Sequence, residues 1–139
     1  MKIITEKISI STKGFSDIID ISPQVRTILG KESVQNGNVT LFVSGSTAGI
    51  TTIEYEPGLL KDLPEAFETL VPQNKSYFHD ATWGDGNGFS HVRAALLGPS
   101  LVVPFENKRL LLGTWQQIVV IDFDNRSRQR EIVIQLMGE

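Results

Sequence analysis

The sequence contains no cysteine among its 139 residues. This absence excludes disulfide bonds, thiolate metal ligands and a cysteine nucleophile, and it agrees with a reducing compartment. No apolar run approaches the ~18 residues that a membrane span requires. The charged N-terminal segment also lacks the apolar stretch of a signal peptide. We therefore expect a cytoplasmic protein with no membrane partner.

Positive charge is scarce as well. The formal net charge is −3 and the pI is near 5.4, so the chain has no general attraction to phosphate backbones and we expect no nucleic-acid partner. With 40% hydrophobic and 21% charged residues, the composition is typical of a globular protein. The length fits one domain spanning residues 1–139.

Hydrophobic periodicity predicts mostly strands. Apolar and polar residues alternate over residues 2–12, which is the pattern of a half-buried strand. Further strands are predicted at 38–43, 50–53, 101–105, 109–112, 116–123 and 128–136. The last four follow one another through turns, so they predict an antiparallel meander in the C-terminal third.

Two to three short helices are predicted between these strands. Ser22-Pro23 opens a helix that ends at Gly30, and Pro57 opens a second one. A third helix ends at Gly98, after a long polar loop over residues 73–88. Because strands and helices do not alternate strictly, we predict an α+β fold of mainly antiparallel sheet, sandwich-like or barrel-like.

The densest polar segment runs from His79 to Arg93 and contains both histidines of the chain. Its glycine-rich part, Asp85 to Gly88, precedes the third predicted helix, and free backbone N–H groups at such a junction suit an anion such as phosphate. Arg93, one turn into that helix, can add a bidentate phosphate contact. The segment therefore predicts a ligand-binding surface.

The same segment offers a second chemistry, because imidazole and carboxylate groups hold divalent metals or transfer protons. These groups are supplied by His79, Asp80, Asp85 and His91. Structural explanations compete with both chemistries: a helix cap for Asn87 or Ser90, a hydrogen-bonding role for each histidine, and a surface ion pair for Arg93. Spacing alone leaves these alternatives open.

Small and hydroxylated residues from Gly45 to Gly49 form a second feature. The Ser46 and Thr47 hydroxyls are suited to approach a ligand, but close backbone packing explains the small residues equally well. Glu54, which follows the Thr-Thr-Ile run, is a candidate base or metal ligand, with a merely exposed glutamate as the alternative.

Two further features lie near the C-terminus. Trp115 is suited to stack on a flat heterocycle while Gln116 binds a polar edge, and an interface anchor or a core tryptophan are the alternatives. Arg126, Arg128 and Arg130 alternate with polar residues, so they share one side of a strand or turn. A solvated face is the first interpretation of these arginines and anion binding is the second.

Three separated segments together resemble one family. They are Gly45–Glu54, Gly84–Ser100 and Arg109–Gln116, followed by Asp122-Phe123-Asp124 and the arginine-rich ending. With these motifs the chain resembles the YjbQ-like family, also called the secondary thiamine-phosphate synthase family. The resemblance implies the YjbQ-like α+β fold, a homotrimer, and a cleft near a subunit boundary where the polar motifs gather.

The resemblance also implies an activity. It is a thiamine-phosphate synthase-type transfer, which joins a hydroxymethylpyrimidine diphosphate to a thiazole phosphate and releases pyrophosphate. A divalent metal, Mg or Zn, is expected and no organic cofactor. Matching positions are His79, His91, Asn87, Glu54, Trp115 and Gln116.

Taken with the residue patterns, the resemblance predicts three groups of site residues. The catalytic group is His79, His91 and Glu54. The metal ligands are His79, His91 and Asp85. The substrate-binding residues are Ser46, Thr47, Gly86, Asn87, Gly88, Arg93, Trp115 and Gln116.

The chain departs from the family pattern at two places. Many members carry a histidine where this chain has Gly45, and many carry Ala-Asp where it has Phe89-Ser90. A three-histidine metal site is therefore excluded, and a metal would rely on His79, His91 and carboxylates or water. Two functional alternatives stay open: a non-catalytic trimer that binds a phosphorylated metabolite, and a metal-dependent hydrolase.

Overall fold

Two antiparallel sheets form the centre of the chain, whose computed structural model describes residues 1–139. The strands are β1 (Lys2–Thr12), β2 (Asp17–Asp20), β3 (Gly37–Val43), β4 (Ala48–Ile53), β5 (Ser100–Glu106), β6 (Arg109–Leu110), β7 (Gln117–Asp122) and β8 (Arg128–Gly138). The helices are α1 (Ser22–Lys31), α2 (Leu59–Leu70), α3 (Phe78–Trp83) and α4 (Gly88–Leu97). The predicted α+β fold of mainly antiparallel sheet is confirmed.

The larger sheet has five strands in the order β1-β8-β3-β5-β6, and the smaller has three in the order β2-β7-β4. Alternate residues of β8, from Arg130 to Leu136, point inward and are buried. β7 is buried on both faces, because Ile118 and Val120 join the main core while Val119 and Ile121 pack towards α2 and α4. Each such side chain contributes about 1.5–3 kcal/mol by leaving water.

The predicted C-terminal meander is wrong. Of the last four strands only β5 and β6 are paired neighbours, while β7 pairs with β2 and β4, and β8 pairs with β1 and β3. Periodicity reports which residues share a face, but it carries no information about the partner strand. β8 matches β1 residue for residue over 11 positions, from Lys2↔Gly138 to Thr12↔Arg128.

Two short elements were not predicted. β2 has four residues, which is too short for an alternating pattern to stand out. α3 has six residues, none of them buried, and lies inside the predicted loop over residues 73–88. The chain therefore has four helices instead of two to three. None of them combines the length and the apolar character that crossing a bilayer requires.

Gly49 brings α4 close to β4. A Cβ on Gly49 would lie 2.7 Å from Leu97 Cδ2 and 2.8 Å from the carbonyl oxygen of Gly98. The backbones are close enough for the N–H of Ile50 to donate to that same oxygen at 3.0 Å. This contact places α4, and with it His91, beside the loop between β3 and β4.

We predict that Gly49→Ala destabilises the fold by about 1–3 kcal/mol, because a methyl group at this position overlaps backbone and forces α4 outward. Urea unfolding measures the change. Gly30→Ala is the matched control: it lies within α1 with no atom inside 4 Å of the added Cβ, so it should be neutral or stabilise by roughly 0.5–1 kcal/mol. Equal effects of the two changes would contradict this account of the α4 contact.

Candidate functional site

His79 of α3 and His91 of α4 pack ring against ring. Their centroids lie 4.2 Å apart and the ring planes meet at 39°. Both residues are half-buried, and Nδ1 of His79 is a buried atom with no hydrogen-bond partner. Neither side chain donates or accepts a hydrogen bond within the protein, so the hydrogen-bonding explanation of the histidines finds no support. Two adjacent imidazoles are left available to a ligand.

The loop between α3 and α4 carries Asp85 back over His79. Gly84 and Gly86 have φ values of 71° and 69°, in the left-handed region that glycine enters at little cost. The reversal brings Asp85 Oδ1 to 3.6 Å from His79 Nδ1. Asn125 donates from Nδ2 to the carbonyl oxygen of Asp85 at 2.8 Å and so holds the loop.

Asp80 supplies a second carboxylate. Its Oδ1 lies 3.8 Å from His79 Nδ1 and accepts the backbone N–H of Gly88 at 2.8 Å. A carboxylate at the start of α4 also suits the positive end of the helix dipole. Gly88 is needed here because a Cβ would lie 2.5 Å from Tyr77 Cβ. Asp80 therefore joins α3 to α4 while facing the histidine.

Ligand atoms of His79, Asp80 and Asp85 lie within 4.8 Å of one another. A mixed nitrogen and oxygen donor set suits a borderline metal such as Zn²⁺ better than Mg²⁺, which prefers oxygen alone. The buried, unpartnered Nδ1 of His79 faces both carboxylates, so these residues fit a divalent cation. In this group Asp80 takes the place that the sequence-based prediction gave to His91.

His91 has a different electrostatic environment. Burial lowers its pKa, and the neighbouring His79 lowers it further, against a weaker opposing effect of Asp124, Asp85 and Asp80. The imidazole of His91 is therefore neutral at neutral pH, with one nitrogen that donates and one that accepts.

Asn87 stands at the start of α4 without capping it. Its side chain makes no cap hydrogen bond, and Nδ2 donates instead to Asp124 Oδ1 at 3.2 Å. Ser90 is not a cap either, since its Oγ donates to the carbonyl oxygen of Phe123 at 2.5 Å. Asn87 is only 5% exposed and its Oδ1 has no partner, so the capping explanation does not account for it.

A buried network of carboxylates and guanidinium groups lies behind Asn87. Asp124 accepts from Thr47 Oγ1 at 3.0 Å and from Arg128 Nε at 2.8 Å. Arg130 donates from Nε and Nη2 to the two oxygens of Asp122, at 2.7 and 2.8 Å. The solvated-face interpretation is therefore wrong for Arg130, which is 6% exposed.

Both carboxylates of this network are ionised. Burial alone would raise the pKa of Asp122, but hydrogen bonds from Arg130 and Thr12 outweigh it and hold the pKa below its ordinary value. Burial is likewise outweighed at Asp124, where hydrogen bonds from Asn125 and Asn87 lead those that lower the pKa. The network is thus a set of satisfied charges.

An open cleft of about 590 Å³ begins at His91. Phe42, Ala94 and Pro99 are among its apolar lining residues, and His91 and Ser46 contribute polar groups. The cleft therefore offers both apolar and polar groups to one ligand. Ser46, predicted to bind substrate, lines the cleft, and Thr47 lies buried next to it.

Three predicted residues lie elsewhere. Gln116 Nε2 donates to Thr52 Oγ1 at 3.3 Å, beside Trp115 and close to the exposed Glu54. His91 lies at the Ala48 end of β4. Four residues of strand separate Ala48 from Thr52, so these two positions are roughly 13 Å apart. Trp115 is 71% exposed, which excludes a core tryptophan. One chain therefore does not bring Trp115, Gln116 and Glu54 to the histidines.

Arg93 also lies apart from the histidine pair. It is 4% exposed. It donates from Nε and Nη2 to the carbonyl oxygen of Val71, from Nη1 to Ser16 and from Nη2 to Glu68, at 2.6–3.2 Å. These bonds fasten the end of α2 to α4. The placement of Arg93 gives no support to the predicted phosphate contact.

The sequence patterns named Asp80 as a possible metal ligand or proton-transfer group, but they did not predict its bond to Gly88 or the Asp122–Arg130 pair. One signal was present: Asp122 and Asp124 have the same two-residue spacing as Arg128 and Arg130. Acids and bases alternating on two successive strands are able to face each other across a sandwich.

The comparisons with known proteins cover the whole chain. A family model described as UPF0047 protein YjbQ-like matches residues 6–139. A UPF0047 protein of Archaeoglobus fulgidus is 40% identical over 127 residues, 91% of this chain and 97% of its own. A UPF0047 protein of Methanothermobacter thermautotrophicus is 36% identical over 139 residues, 100% of this chain and 95% of its own.

A solved structure agrees with this likeness. The crystal structure of a YbjQ-like protein of unknown function from Sulfolobus solfataricus superimposes with a TM-score of 0.94 at 32% identity, covering 99% of each chain. The likeness therefore includes both sheets and the helices that carry the histidines.

We predict that the pKa of His91, followed by NMR, lies below about 6.5, because burial and His79 disfavour the imidazolium. The unfolded chain takes up this proton at a higher pH than the folded chain does. The free energy of unfolding should therefore decrease as pH falls below about 6.5. His79→Gln removes the second cause and should raise the pKa of His91 partway. A midpoint at or above the ordinary value would contradict this description.

Proposed function

The chain belongs to the YjbQ-like UPF0047 family, and we propose that it is a transferase of the thiamine-phosphate synthase type. It would join a hydroxymethylpyrimidine diphosphate to a thiazole phosphate and release pyrophosphate. The observation that carries the proposal is the pair of half-buried imidazoles, free of protein hydrogen bonds, of which His91 lines a cleft together with Ser46 and several apolar residues.

The cleft suits a substrate with two unlike ends. Phe42, Ala94 and Pro99 offer an apolar surface to a flat heterocycle. Ser46 and His91 also line the cleft, and hydroxyl and imidazole groups suit phosphoryl oxygens. A pyrimidine diphosphate presents both a ring and an anion.

The reaction also fits a neutral His91. One C–O bond breaks and its electron pair leaves with the diphosphate, while one C–N bond forms from the thiazole nitrogen, so no net proton transfer is required. A neutral imidazole N–H that donates to the departing diphosphate stabilises the charge that develops there. The lowered pKa of His91 keeps the imidazole in this neutral form.

His79, Asp80 and Asp85 would hold the divalent cation. When bound, such a cation supplies charge stabilisation to a leaving diphosphate. Asp80 and Asp85 also keep His79 oriented, since both carboxylates lie within 4 Å of its Nδ1. The donor set favours Zn²⁺ over Mg²⁺.

A homotrimer in the cytoplasm, as the resemblance implies, would complete the site. Trp115 and Gln116 lie at the far end of β4 from His91, so they can contact the same substrate only from a neighbouring copy. Trp115 is 71% exposed and Phe42, on the cleft wall, is 45% exposed. Exposed aromatic residues of this kind are typical of subunit interfaces.

The test is a coupled assay for thiamine phosphate, using the two precursors and protein that is either metal-free or loaded with Zn²⁺ or Mg²⁺. We expect metal-dependent product, and a loss on the order of 10²-fold in His91→Ala, because a donor to the leaving group is removed. Asp62→Asn, an exposed change on α2, is the control and should leave turnover unaltered.

Three results would overturn the proposal. Unchanged turnover in His91→Ala would remove His91 from the site. No product from protein whose thermal stability rises with either precursor would favour the metabolite-binding alternative. Release of phosphate or pyrophosphate without thiamine phosphate would favour the hydrolase instead.

A further inference from the structure

The loop between β3 and β4, residues 44–47, presents several unused hydrogen-bond donors. The backbone N–H groups of Gly45, Ser46 and Thr47 donate to no acceptor in the protein, whereas the N–H of Ser44 donates to the carbonyl oxygen of Glu131 at 3.2 Å. The Ser46 side chain is exposed and makes no hydrogen bond within the protein. Successive free N–H groups in a turn are a common element of anion sites.

Arg130 adds a charged donor to this loop. Its side chain is only 7% exposed. Nε and Nη2 are occupied by Asp122, and Nη2 also donates to Thr47 Oγ1 at 2.5 Å. Nη1 makes no hydrogen bond. Only His79 Nδ1 and Asn87 Oδ1 are buried side-chain atoms without a partner, so Nη1 is accessible to solvent. Its two N–H groups are available to a ligand.

Gly45 connects this donor to the cleft. Its φ lies outside the left-handed region, so the backbone does not require glycine. The atom that a Cβ would meet is Arg130 Nη1, at 2.7 Å. Gly45 also lines the cleft together with Ser46 and His91. The missing side chain therefore leaves room for Nη1 beside a residue that lines the cleft.

The surrounding charges permit an anion. Asp122 and Asp124 are balanced by Arg130 and Arg128, and all four carboxylate oxygens accept hydrogen bonds from the protein. No carboxylate pairs with Nη1. An anion beside Gly45 would meet donors, with the carboxylates already satisfied.

We propose that the loop 44–47 and Arg130 Nη1 form a phosphoryl subsite, which binds a phosphate or diphosphate group of the substrate. The subsite rests on the proposed function because it supplies the anion-binding end of the same cleft. It assigns a binding role to Arg130. It also predicts that pyrophosphate, the released product, binds here without metal.

The test measures binding of inorganic pyrophosphate to metal-free protein by calorimetry, with ¹⁵N amide shifts to locate it. We expect the largest shifts at Gly45, Ser46 and Thr47. Gly45→Ala places a methyl group against Nη1 and should weaken binding on the order of tenfold, as loss of one charge-assisted hydrogen bond implies. Gly30→Ala is the matched control, with no atom near its added Cβ, and should bind as the unchanged protein does.

Arg130→Lys is a second variant, which keeps the charge for Asp122 but lacks Nη1. A comparable loss of pyrophosphate affinity in this variant supports the subsite. Unchanged affinity in folded Gly45→Ala would overturn it, and so would amide shifts confined to Gly86–Phe89. Pyrophosphate binding at the loop in a protein that forms no product would sink the transferase proposal alone. Turnover without binding at the loop would sink the subsite alone.

Discussion

Asp124 has no solvent exposure, and the candidate site depends on where it lies. One oxygen of its carboxylate accepts from Thr47 in the loop 44–47, and the other accepts from Asn87 at the start of α4. The two segments are far apart in sequence, yet they meet on a single side chain. Arg128 compensates the charge. Removing one partner of such a pair costs about 3–5 kcal/mol, because the other charge stays buried.

The two halves of the cleft follow from this arrangement. Asn87 fixes the start of α4, and His91 lies one turn further along the helix. Thr47 fixes the loop whose free N–H groups lie beside Arg130. His91 and the free N–H donors of the loop are thus positioned by one buried network. Preorganised donors of this kind lose little free energy to reorganisation when a charged ligand arrives.

Much of the fold was predictable from local pattern. β1 shows eleven residues of alternation, and α2 begins two residues after Pro57, so both were predictable. Strand partners were not predictable, because the periodicity of a strand does not identify the strand it pairs with. β7 and β8 follow each other in sequence, yet they belong to different sheets. α3 was not predictable, because a six-residue helix without buried residues shows no hydrophobic periodicity.

The candidate site was predicted less completely, for a related reason. The alternation of Arg128 and Arg130 indicates that they share one face of a strand. A period of two residues does not tell whether that face is buried, and here Arg130 is buried. The sequence identifies Gly45 as a small residue of the segment Gly45–Gly49 and as a lost histidine, but it does not show that Arg130 Nη1 lies 2.7 Å from the position of its Cβ. Trp115 and His91 belong to one family pattern, but a pattern carries no distances within a chain.

The most direct test of the role of Asp124 is a double-mutant cycle on Thr47→Val and Asn87→Ala, in which urea unfolding measures the stability of each variant. If Asp124 couples the loop to α4, the two changes share a partner and should be non-additive by about 0.5–3 kcal/mol. Thr47→Val combined with Thr69→Val, an exposed change on α2, should be additive. Additivity of Thr47→Val and Asn87→Ala within about 0.3 kcal/mol would contradict the central role of Asp124.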